Sequence, residues 1–149
     1  MKKLLVVFPL ALALLVPAVA SAQTVQQWAR KADGICAYYN SRFPVAPDTF
    51  PNTAALQAWY RIHGPAELKL QAKFYKQLVA VGLPKQRRTL VQTFLRSELL
   101  QNRANARAIL AATRGDYSAA KAASDKLTSI RDSRKPVARA LGLKVCTKD

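Results

Sequence analysis

The chain has 149 residues, with 24 Lys and Arg against 8 Asp and Glu, for a formal charge of +16. Five glycines and eight prolines in a sequence rich in Ala, Leu, Gln, Lys and Arg favour helix over strand. The length suits one domain with a real core, and so few acids exclude a surface that neutralises its own charge.

Lys2 and Lys3 precede an apolar run from Leu4 to Val19, and Ala20-Ser21-Ala22 follows as a small-x-small site. This tripartite pattern predicts a secretory signal peptide over residues 1–22; the run is too short and wrongly flanked for a membrane anchor. Cleavage near Ala22 places a single domain, residues 23–149, outside the cytoplasm, secreted or periplasmic. No cysteine stands at the cleavage site, which argues against lipid anchoring. No second long apolar stretch follows, so the expected product is soluble, without a transmembrane segment, and carries roughly +14.

Four helices follow in order. In the first, about Val25 to Asn40, Val25, Trp28, Ala29, Ala32, Ile35, Cys36 and Tyr39 share one face at the helical period. Pro44, Pro47 and Pro51 make Arg42 to Pro51 a loop. Asn52 or Thr53 caps the second helix, whose stripe runs from Leu56 through Leu70 and Phe74 to Val81. Gly64-Pro65 kinks that helix or breaks it in two.

Gly82-Leu83-Pro84 reads as a helix stop followed by a first-turn proline, opening a third helix that runs to about Arg114. Its expected inward residues are Val91, Phe94, Leu95, Leu99, Ala106, Ile109, Leu110 and Thr113. Gly115 provides a left-handed cap and Asp116 an N-cap for the fourth helix. That helix carries Leu127, Ile130, Val137 and Leu141 inward, bends at Pro136 and ends at Gly142. Short turns between the last three helices predict an all-α, up-down four-helix bundle with a kinked second helix.

Cys36 and Cys146 lie near opposite ends of the mature chain. In an oxidising compartment such a pair is most simply one disulfide, and the loop of about 110 residues corresponds to roughly 4.7 kcal/mol of chain entropy. A redox pair or a metal site has no CxxC and no ligand-like histidine spacing behind it, so no metal or other cofactor is expected.

Several short motifs have counterparts elsewhere. They are Ala32-Asp33-Gly34-Ile35-Cys36-Ala37 before Asn40-x-Arg42, a proline in the second helix, and Ala-x-x-Arg114-Gly115-Asp116. The ending Ala138-Arg139-Ala140-Leu141-Gly142-Leu143-Lys144-Val145-Cys146 completes the set. Together they resemble small secreted proteins and lipoproteins common in actinobacteria. The resemblance implies a cysteine-stapled helical bundle and carries no assigned activity. The chain departs from it in lacking a lipobox and in being strongly basic.

Polar residues inside the apolar stripes are candidates for chemistry: His63 and Glu67 on helix two, Glu98 and Asn102 on helix three, Arg134 on helix four. Antiparallel pairing about Leu83 sets Glu67 level with Glu98 and His63 level with Asn102. Pairing about Gly115 brings Arg134 within about one turn of Glu98. Three readings stand: a buried salt-bridge network fixing helix register, a small-ligand or metal pocket, or catalysis by Glu67 and Glu98 as in glycoside hydrolysis. A di-iron site wants four carboxylates and two Glu-x-x-His pairs, which this chain lacks.

Basic residues repeat at helical spacing. Arg96, Arg103, Arg107 and Arg114 form a stripe on helix three, and Lys69, Lys73 and Lys76 a shorter one on helix two, with few acids at i+4. No nucleic-acid motif is present and the compartment argues against such a partner. Trp28, Tyr38, Tyr39, Trp59 and Tyr60 are expected mainly in the core. The leading expectation is a non-catalytic binding protein whose basic faces engage an anionic envelope polymer, lipid or acidic protein. The alternative is a core carrier of a small ligand or metal, using His63, Glu67, Glu98, Asn102 and Arg134.

Overall fold

A computed structural model describes residues 23–47 and 49–147, and the expected signal peptide lies outside the described residues. Four helices appear in order: α1 (Val25–Asn40), α2 (Thr53–Ala80), α3 (Arg88–Arg114) and α4 (Tyr117–Ala140). Among the described residues there is no strand. No helix there is long and apolar enough to cross a membrane.

Local chemistry sets most helix ends. Thr24 and Gln27 form a capping box: Thr24 Oγ1 accepts from the Gln27 amide at 3.2 Å, and Gln27 Oε1 accepts from the Thr24 amide at 2.8 Å. Asn52 caps α2 by accepting from the Ala55 amide, and Asp116 caps α4 by accepting from the Ala119 amide. Gly115, at φ 79°, takes the left-handed conformation that ends α3 one residue earlier.

Two expectations about these ends are refined. α2 runs as one helix through Gly64-Pro65, so the segment is not broken in two. α3 begins at Arg88, four residues beyond Pro84; Pro84 is buried in the connecting segment, and Arg87 turns the chain at φ 54° with no side-chain cap.

α3 is the central helix. α2 and α4 both pack on it, and α1 packs on α2 and, through Trp28, on α3. The antiparallel course of α2 and α3 is tied at one end by Thr113, whose carbonyl accepts from Gln57 Nε2 and Arg61 Nε. The main core sits at the opposite end, where α1 lies. Trp28 meets Phe94 edge-on at 5.9 Å, Tyr39 meets Phe74 at 5.5 Å, and Leu78, Val91, Ala138 and Leu141 close the cluster. Burying large apolar side chains there contributes about 1.5–3 kcal/mol each.

The disulfide joins Cys36 on α1 to Cys146 after α4, and both residues are buried. It fastens the shortest helix to the end of the chain. The aromatic expectation divides: Trp28 and Tyr39 are core, Trp59 and Tyr60 are half-buried, and Tyr38 is 50% exposed with Arg42 over its ring.

Candidate functional site

Two features hold the sequence-predicted site residues. One is a polar interior at mid-bundle, the other a cationic surface on α2 and α3.

In the interior, Glu98 and Arg134 form an ion pair, the carboxylate 1% and the arginine 5% exposed. Pairing α3 with α4 about their short turn brings them together as the sequence spacing suggested. Burial pushes the Glu98 carboxyl above its ordinary range, against the opposing pull of the Arg134 charge and hydrogen bond and the nearby Arg131 charge.

Glu67 is elsewhere. Its Oε1 accepts from Asn105 Nδ2 at 2.6 Å and from Gln71 Nε2 at 3.1 Å. The two glutamates are therefore not level with one another, and Glu67 pairs with an amide two turns further along α3. The late start of α3 produces this shift.

Asn102 Nδ2 reaches only the backbone carbonyl of Gln71, at 3.5 Å. His63 lies against Trp59 on its own helix, ring centroids 4.7 Å apart. Tyr60, beside Glu67, has its phenol pKa raised, first by burial and then by the Glu67 charge. Among the described residues no group of three or more His, Cys, Asp or Glu side chains is placed to hold a metal ion.

A cavity of about 260 Å³ opens between the helices beside the disulfide. All four helices line it, with Glu67 and Gln71 from α2, Gln101 and Asn105 from α3, and Arg131 and Arg134 from α4. Of the five polar residues singled out in the sequence, Glu67 and Arg134 face this cavity. Gln101, Asn105 and Arg131 went unrecognised there. Asn105 stands seven residues after Glu98, on the same helical stripe, which is the signal that would have found it.

The surface feature follows from helical geometry. At about 100° per residue, Arg96, Arg103, Arg107 and Arg114 fall within roughly 40° of one another, opposite the buried Glu98. All four are exposed, as are Lys69, Lys73 and Lys76, and none of the seven makes an ion pair among the described residues. The α3 row spans about 27 Å at 1.5 Å per residue. Glu67 and Glu98 are the sole acids of α2 and α3 and neither is exposed, so no exposed carboxylate interrupts these two faces. Arg103 borders the α2–α3 groove, and Arg107 borders the α3–α4 groove beside Lys126.

The chain matches no family model, no curated protein and no solved structure.

Proposed function

We infer that the protein acts outside the cytoplasm as a non-catalytic binding protein, engaging an anionic partner of the cell envelope through the outer faces of α2 and α3. The observation that carries this reading is the single-sign surface: the seven exposed cations of these two rows lie on helices that expose no acid. A solvated helix surface normally alternates charge signs, and a single-sign field raises the local concentration of an oppositely charged partner. A row about 27 Å long suits an extended polyanion better than a compact acidic group. The disulfide and the resemblance to secreted, cysteine-stapled bundles support the compartment.

The test is retention of the purified protein on isolated cell envelopes across a salt series. Such contacts are screened over about 8–10 Å at moderate ionic strength, so binding should fall steeply as salt rises. Replacing Arg96, Arg103, Arg107 and Arg114 together with Gln should abolish retention at low salt. Retention by the quadruple variant with unchanged salt dependence would refute the reading, as would no retention of the parent protein at low salt.

A further inference from the structure

A mismatch in helix length leaves space inside the bundle. α1 has 16 residues, where α2, α3 and α4 have 28, 27 and 24. At 1.5 Å per residue this is about 24 Å against roughly 36–42 Å. Beyond Asn40 none of the described helices fills the fourth position. The cavity of about 260 Å³ opens there, with Phe43 and Phe74 among its apolar walls. That volume exceeds what a few waters need and falls below the drug-sized range, which suits a molecule of amino-acid size.

The walls carry opposite charges. α4 contributes Arg131 and Arg134, and α2 contributes Glu67. Two polar atoms of the lining residues are buried without a hydrogen-bond partner: Arg134 Nε, a donor on a residue 5% exposed, and Gln101 Oε1, an acceptor. Buried polar atoms are nearly always paired, so a lone donor and a lone acceptor at one cavity favour a guest that offers both. The Arg134–Glu98 pair uses Nη1 and leaves Nε unengaged. Glu67 is held in place through Oε1 by Gln71 and Asn105, while its Oε2 takes no bond among the described residues.

We propose that this cavity binds a small zwitterion of the amino-acid type. Its carboxylate lies toward Arg131 and Arg134 Nε, and its ammonium toward Glu67 Oε2 and Gln101 Oε1. A simple anion meets the opposing charge of Glu67, and a simple cation meets Arg131, the charge of Arg134 being offset by Glu98; a zwitterion satisfies both walls. The guest's side chain has room as well. An adjoining cleft of about 350 Å³ shares Asn105 and Leu127 with the cavity, and its walls mix Leu56 and Ala112 with Tyr60, Lys121 and Asp125. The site uses none of the seven surface cations, so it stands apart from the polyanion reading.

The test is titration calorimetry on the purified, disulfide-bonded protein with each of the twenty common L-amino acids. The tightest binder is then compared with its N-acetyl and its amide derivatives, each of which lacks one charge. At least one amino acid should bind, and both derivatives should bind at least tenfold more weakly. Glu67→Gln keeps the amide contacts but removes the charge; it should weaken the amino acid at least tenfold and leave the N-acetyl derivative unweakened. Arg131→Gln should weaken the amino acid and the N-acetyl derivative together. No binding at millimolar concentration by any of the twenty would overturn the proposal, as would derivatives that bind equally well. If Glu67→Gln fails to fold, the three-ligand comparison on the parent protein decides the matter.

Discussion

Asp33 grips the backbone of Cys146: its Oδ1 accepts from the Cys146 amide at 3.1 Å and the Val145 amide at 2.9 Å. Its Oδ2 accepts from the Lys144 amide at 2.9 Å. Cys36, one turn further along α1, is bonded covalently to the same Cys146. The tail is thus held twice on one face of α1. Hydrogen bonds to a charged acceptor contribute more than neutral ones, so Asp33→Ala should lower stability by about 1.5–3 kcal/mol. Urea denaturation measures the loss, and hydrogen exchange at residues 144–146 should quicken with it.

Opening the disulfide is the complementary experiment. Cys36→Ser with Cys146→Ser should cost up to about 4.7 kcal/mol, the chain-entropy value for a loop of this size. Adding Asp33→Ala should give a total that departs from the sum, because both anchors hold the same few residues. Strict additivity in a double-mutant cycle would show that the anchors act independently.

The Glu98–Arg134 pair should respond differently to single and double replacement. Removing one partner leaves the other charge buried alone, so Glu98→Ala or Arg134→Ala should each cost about 3–5 kcal/mol. Glu98→Leu with Arg134→Met replaces both by apolar groups and should fall within about 1 kcal/mol of the parent or exceed it. Denaturant midpoints for the four proteins decide this. A double variant as unstable as the singles would mean that the pair contributes more than mutual compensation.

The same carboxyl imposes a pH dependence of unusual sign. Burial raises the Glu98 pKa above its ordinary value of 4.5, so the folded state keeps a proton that the unfolded chain has released. Stability from this group is therefore fully present below 4.5 and is lost as pH rises through the folded value. The stability of the parent relative to Glu98→Gln should fall as pH rises from 4.5 toward neutrality. A rise over that interval would mean that the Arg134 charge, and not burial, dominates.

Gly64 lets α2 pack directly against Ile109 of α3. A Cβ at this position would lie 2.6 Å from Ile109 Cγ2, closer than such atoms approach, and Gly64 is itself buried. Gly64→Ala should destabilise the protein by about 1–3 kcal/mol through overpacking. Ile109→Ala removes the obstructing atom, so the double variant should be less damaged than the two single effects predict. Thermal or urea unfolding of the three variants tests the contact.

Much of this architecture is legible in residue order. Apolar spacing marked the four helices, Asn52 and Asp116 announced two of the starts, and Gly115 announced an end, because caps are local chemistry. The Glu98–Arg134 contact followed from helices joined by a turn of almost no length. The start of α3 was not legible. Arg87 adopts a left-handed conformation without a capping side chain, and nothing in an arginine signals that. The register of α2 on α3 depends on that start, so Glu67 met Asn105 and not Glu98. Asp33 was hidden for another reason: its partners are backbone amides more than a hundred residues away, which no side-chain pattern encodes.

The staple also keeps time. Cys36 lies on α1 and its partner comes 110 residues later, after α4. A polypeptide leaves a ribosome, or is threaded through a membrane, amino end first. The earlier thiol therefore waits until the whole bundle has emerged before it can close onto its own chain. A product truncated anywhere before Cys146 keeps an unpaired thiol, which is open to capture by other thiols. Closure of the bond thus reports that all four helices have been made.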